Sequence, residues 1–207
     1  MTAAAAAAAR RSLWKRRIAK HSRWLHIYIS MVSCAVVLFF SLTGVTLNHT
    51  DLLAGTETTE TATGVIDTRW TNTGDKAVAK LEIAEWLRER HRLSGAVSDF
   101  RVDEAQASIA FKGPGYSADV FVDRASGNYE LTETRLGLVA VANDLHKGRD
   151  SGAVWKGLID ASAIFLIFVA LTGLVLLYFV QKHRAAGFIL LAFGAALAYV
   201  LYAVWVP

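Results

Sequence analysis

The sequence predicts a membrane α-helical protein: three transmembrane helices, with a small α+β domain (one helix plus an antiparallel meander) inserted between the first and the second. Three observations lead there. The 207 residues are 54% hydrophobic and only 19% charged, whereas soluble domains carry about 25% charged residues. The apolar excess is gathered into three blocks, each close to the roughly 20 residues that cross a bilayer. Between the first two blocks lies a stretch of about 100 residues with ordinary polar patterning, enough for a small core of its own. The single cysteine, Cys34, excludes a disulfide-stapled secreted domain and reads as an inert apolar residue within the first block.

The first block, WLHIYISMVSCAVVLFFSLTGVTL from Trp24, contains no charge and gives a span over 24–48. A cleaved signal peptide is the competing reading. The run exceeds the usual apolar region of about 7–15 residues, and SLTGVTLNHT offers no A-x-A-like site, so a retained helix is expected. The second block spans 154–181 and is uncharged from Ala161 to Val180; the third occupies 188–207. Trp14, Trp24, Trp155, Tyr178 and Trp205 fall near span ends, where amphipathic rings prefer to sit.

Charge then gives orientation. Residues 10–23 hold seven bases and no acid, and the turn at 182–187 adds Lys182 and Arg184, while residues 50–150 carry 17 acids and 12 bases. The basic side is expected to be cytoplasmic, which puts the inserted domain and the C-terminus outside. A pI near 9.3 therefore reports topology and attraction to anionic lipid, and a nucleic-acid partner is not expected. The arm 1–23, with its alanine run, is expected to fray.

Within 49–135, residues 51–75 read as loop or short strand. Lys76–Arg92 reads as a helix, with Asp75 as N-cap, Val78, Leu81, Ala84 or Glu85, and Leu87 or Arg88 at helical spacing, and Gly95 beyond its end. Strands are expected at Val97–Val102, Ser108–Lys112, Tyr116–Val122 and Asn128–Thr134. Gly113-Pro114-Gly115 and Asp123–Gly127 supply two of the turns. Residues 136–153 hold a juxtamembrane helix over Leu136–Leu145, on the outer membrane surface or leading into the second span.

The helix-then-meander segment closing on VDRASGNYE resembles the PepSY domain. WLHIYIS (24–30), SLTGVTLNH (41–49), NDLHKGRDSGAVW (143–155) and IDASAIFLIFVALTG (159–173) resemble the flanking spans of the PepSY-associated transmembrane family. The resemblance implies a multi-pass protein of the bacterial inner membrane with a periplasmic domain, associated with haem binding and ferric-siderophore reduction. It implies a ferric-siderophore reductase or an electron-transfer subunit of one. Larger members of that family have more helices, and this chain is a short version.

Six histidines are present, and His26, His49, His146 and His183 lie at membrane boundaries. The first two spans run antiparallel, so His26 can face His183 on one side and His49 can face His146 on the other. Paired imidazoles on adjacent helices are what six-coordinate haem b requires. The resemblance implies His26, His49 and His146 as ligands; His183 enters on topology alone. The bland reading is a hydrogen-bonded interfacial residue, and it is the one expected for His21 and His91. His26 and His49 are 23 residues apart, about 34 Å at ~1.5 Å per residue, which suits two haems near opposite faces; one outer haem is the alternative.

Leu42-Thr43-Gly44 in the first span recurs as Leu171-Thr172-Gly173 in the second. Small residues of this kind let transmembrane backbones approach, or they make room for a porphyrin plane. Lys147 and Arg149 beside His146 can neutralise haem propionates or meet lipid phosphates. Asp160 can pair with Lys156 at i,i+4 or carry protons. No nucleophile triad, HExxH, Walker A or Rossmann glycine pattern occurs. Two functions follow: a haem protein passing electrons from a cytoplasmic or quinol donor to a periplasmic acceptor such as ferric siderophore, or a non-enzymatic anchored module that binds a periplasmic partner protein. Three helices cover two porphyrins poorly, which favours a homodimer or a partner subunit.

Overall fold

In the computed structural model, residues 3–50, 56–72, 78–180 and 182–207 are described. Three helices are long and apolar enough to cross a membrane: α1 (Ala3–Asn48), α5 (Gly152–Phe179) and α6 (Arg184–Trp205). Between α1 and α5 come β1 (Thr58–Val65), α2 (Thr68–Thr71), α3 (Lys80–His91), β2 (Ala96–Val102), β3 (Gln106–Gly113), β4 (Tyr116–Asp123), β5 (Asn128–Arg135) and α4 (Leu138–Lys147). The chain divides into two compact units, residues 1–37 with 160–207, and residues 38–159.

The arm expected to fray is instead part of α1 from Ala3 onward. Alanine is the best helix former, and arginine and lysine follow closely. Attached to a long apolar helix, the arm extends an existing nucleus and bears no nucleation cost.

Five antiparallel strands lie in the order β1-β5-β4-β3-β2. The four strands expected from the alternation are present, each lengthened by one to three residues. The inward positions of β3 and β4 are buried, with Ala107, Ile109 and Phe111 opposite Val122, Val120 and Ala118. Onto that face α3 sets Ile83, Ala84 and Leu87, and Ile66, Leu93, Tyr129 and Leu131 close the core. On the opposite face Phe121 is exposed.

Two sequence expectations shift here. The helix starts at Lys80, and Asp75 lies outside the described residues. Leu81, expected on the apolar face, points to solvent, because burial of Ile83 and Leu87 rotates the helix away from it. The segment read as loop or short strand holds β1, an eight-residue edge strand paired along its whole length with β5.

Candidate functional site

In the unit of residues 38–159, α4 is held from three directions. Its N-terminal half meets the β3–β4 turn. Gly115 adopts φ +64°, and a Cβ there would lie 2.5 Å from Val141 Cγ2, so only glycine lets the turn approach. The Gly115 N–H donates to the Asp144 carboxylate at 2.9 Å, and the Leu136 N–H donates to Gly115 O at 2.8 Å. Asp144 sits in the last turn of α4, where the helix dipole disfavours an anion. Gly115 and Arg149, 3.8 Å away, compensate it. Trp155 then donates its indole N–H to Leu145 O at 2.8 Å, satisfying a terminal carbonyl of the helix.

The third contact is with the end of α1. Buried Asn143 accepts from the Thr46 hydroxyl at 2.7 Å, and His146 Nδ1 lies 2.6 Å from Thr43 Oγ1. The His146 ring, half-buried, stands edge-on to Phe40 with centroids 5.1 Å apart. Its Cε1 lies 3.6 Å from where a Cβ on Gly44 would be. An imidazole is thus seated on the Thr43-Gly44 step.

The other unit repeats the arrangement. His26, half-buried on α1, places Nδ1 3.0 Å from Thr172 Oγ1 and 3.1 Å from Val169 O on α5. Its Cε1 lies 3.4 Å from the position of a Cβ on Gly173. The two Leu-Thr-Gly steps are therefore two imidazole seats. Each glycine lies beside a histidine ring, at a distance where an added Cβ would make ordinary contact with it.

The seats place the expected site residues as follows. His146 does reach α1, but it meets Thr43, six residues before His49. His49 follows α1, exposed, with its backbone N–H on Thr46 O at 3.2 Å. His26 meets α5 at Thr172. His183 is the exposed residue preceding α6, and its side chain makes no capping bond. Among the described residues, neither His49 nor His183 is hydrogen-bonded through its ring to another histidine. Lys147 and Arg149 flank His146 and are exposed; Asp160 and Lys156 are exposed on α5. His21 bonds Arg17 O at 2.8 Å within its own helix, and His91 bonds the Tyr129 hydroxyl at 2.8 Å, both as hydrogen-bonded structural residues.

Thr43 and Thr172 were visible in sequence only as an echo. Gly115 is legible as a turn residue only, and Phe40, Asn143 and Asp144 belong to no site pattern in the sequence. Asp144 carried a usable signal, since an acid in the last turn of a helix needs a partner.

Fold and site together define a membrane protein with a sheet domain inserted after its first span and an imidazole seated on each of two repeated Thr-Gly steps. The chain belongs to the family described as Putative PepSY_TM-like, whose model matches residues 20–207. No curated protein and no solved structure matches the chain.

Proposed function

We propose that the chain is a haem-binding electron carrier of the bacterial inner membrane, with His146 and His26 each offering Nε2 to an iron. The observation that carries this is the shared seat: in both rings Nδ1 is within hydrogen-bond distance of a threonine hydroxyl, and among the described residues Nε2 has no hydrogen-bond partner. Metal-bound imidazoles are held in this way, with the second nitrogen donating to an oxygen that fixes the ring. The donor chemistry fits haem better than a bare ion. Among the described residues no three His, Cys, Asp or Glu side chains gather as a metal cage, and a porphyrin supplies four ligands itself, leaving only axial positions to the protein.

Bound haem supplies reversible one-electron chemistry at iron. The chain's own residues hold the rings. Thr43 and Thr172 anchor Nδ1, Phe40 stacks edge-on against His146, and Lys147 and Arg149 offer charge to propionates. His49 and His183 are the further imidazoles that would help hold the group, from the same chain or from a second copy. The seven bases at 10–23, in the N-terminal part of α1, with Lys182 and Arg184 support a cytoplasmic N-terminus and a periplasmic sheet domain. A chain so loaded would serve a cytoplasmic or quinol donor and a periplasmic acceptor such as ferric siderophore.

The test is spectral. Full-length chain purified from haem-replete cells should give a pyridine haemochrome and a reduced-minus-oxidised α band. His146→Ala should remove at least half of the haem. Colourless protein would overturn the proposal. The competing reading, an anchored module that binds a partner protein, draws support from the exposed Phe121 on the outer face of the sheet; it requires colourless protein that still binds a periplasmic protein through that face.

A further inference from the structure

We infer that Thr43 and Thr172 are positioning residues that fix His146 and His26 as their Nδ1–H tautomers, so that each ring presents the Nε2 lone pair outward. The functional meaning of that lone pair rests on the haem reading above; the tautomer assignment does not.

At His26 the acceptor count decides. Val169 O, 3.1 Å from Nδ1, is a carbonyl and can only accept, so Nδ1 must carry the proton. Thr172 Oγ1 meanwhile donates its single proton to Phe168 O at 2.7 Å, leaving its lone pairs for the same N–H. At His146 the helix geometry reaches the same result with one acceptor fewer. Thr43 Oγ1 lies 2.7 Å from Phe39 O and 2.6 Å from His146 Nδ1. If the hydroxyl donated to the imidazole, two oxygens would face each other at 2.7 Å with no proton between them. With the hydroxyl on Phe39 O and Nδ1–H on Thr43, both short contacts are hydrogen bonds. A neutral imidazole with a protonated Nδ1 has its acceptor on Nε2.

The two seats correspond residue by residue at a constant offset of 129: Phe39 with Phe168, Thr43 with Thr172, Gly44 with Gly173, and the buried Ser33 with Ser162. They differ in the backup acceptor. His26 has Val169 O as well as threonine, whereas His146 has threonine alone. This difference gives an unequal expectation for equivalent substitutions.

The experiment uses the full chain in lipid nanodiscs, produced in haem-depleted cells with 15N-labelled histidine, at a pH where the rings are neutral. The His146 and His26 resonances are assigned by His146→Gln and His26→Gln. Both rings should show the Nδ1–H pattern. Thr43→Val should convert His146 to a mixture dominated by Nε2–H while leaving His26 unmoved, and Thr43→Ser should restore it. Thr172→Val should leave His26 largely Nδ1–H, held by Val169 O. An Nε2–H signature for either ring in the unaltered chain overturns the inference, as does a Thr43→Val protein whose His146 tautomer is unchanged. If Thr43→Val fails to fold, the unaltered chain's tautomers decide alone. A chain with both rings Nδ1–H that takes up no haem sinks the haem reading and leaves this one standing.

Discussion

The sheet domain and the long helices bury opposite kinds of residue. Among the described residues, every buried hydrophobic side chain lies between Ile66 and Leu131. In α1 and α5 the buried residues are Ser33, Thr43, Ser162 and Thr172, all of them hydroxyl-bearing, and α6 buries none. Water drives the first pattern, since apolar area removed from it contributes roughly 25 cal/mol per Å². Lipid removes that drive, because an apolar side chain gains nothing by leaving it, so what the spans hide is small and polar. The domain is therefore held by volume, and the seats are held by hydrogen-bond direction.

The largest expected effect tests the volume side. Phe111→Ala empties the centre of the core, where Phe111 is fully buried against α3 and the facing strand. It should cost about 3–5 kcal/mol, enough to unfold a small domain. Far-UV circular dichroism and the fluorescence of Trp70 and Trp86 would follow it. Thr43→Val keeps volume and removes two hydrogen bonds, to Phe39 O and from His146 Nδ1, so it should cost only about 1–3 kcal/mol. Equal losses from the two substitutions would break the contrast.

Next comes the same substitution made at two glycines. Gly115→Ala must keep φ at +64° and place a methyl 2.5 Å from Val141 Cγ2. It should cost roughly 1–3 kcal/mol and free the β3–β4 turn from α4, read as faster proteolysis at Pro114. Gly44→Ala meets only the His146 Cε1 at 3.6 Å, an ordinary contact, and should be tolerated. Gly44→Leu should displace the ring. A harmless Gly115→Ala would mean that the turn does not clamp α4.

How much of this could be read from sequence follows the same division. The spans and four strands were legible because each has a periodicity or a length that nothing else imitates. β1 was legible only as one of two options, loop or short strand, because TTETATGV offers no apolar alternation: Ala62 and Gly64 are its inward residues, and both are small. The phase of α3 was misread because Leu81 and Ile83 are equally apolar and only the sheet chooses between them. At the seats, the repeated Thr-Gly step was visible, and the histidines were visible, but their pairing was not. Spacing along one helix does not say which turn lies opposite a residue elsewhere. His146 meets Thr43 and not His49, a difference of six residues, about 9 Å along a helix.

The smallest effect lies at a histidine outside both seats. His91 is held to the Tyr129 hydroxyl, and its ring stands edge-on to the Tyr129 ring. Burial, reinforced by neighbouring Arg90 and opposed by Glu133, pushes its pKa below the ordinary 6.5. The unfolded chain therefore takes up this proton first. Stability is full above about pH 6.5, falls as the pH drops from there toward the folded pKa, and flattens below it. Asp67 and Asp123 act in a separate window. Hydrogen bonds from Arg69 and Ser126 hold their carboxyls below the usual 3.8, so their contribution is lost only as pH falls past that value. Chemical denaturation of the full chain, followed by Trp86 fluorescence, should show the midpoint declining just below pH 6.5. His91→Gln should flatten that part of the curve and leave the more acidic part in place. An unchanged slope in His91→Gln would move the pH dependence to other groups.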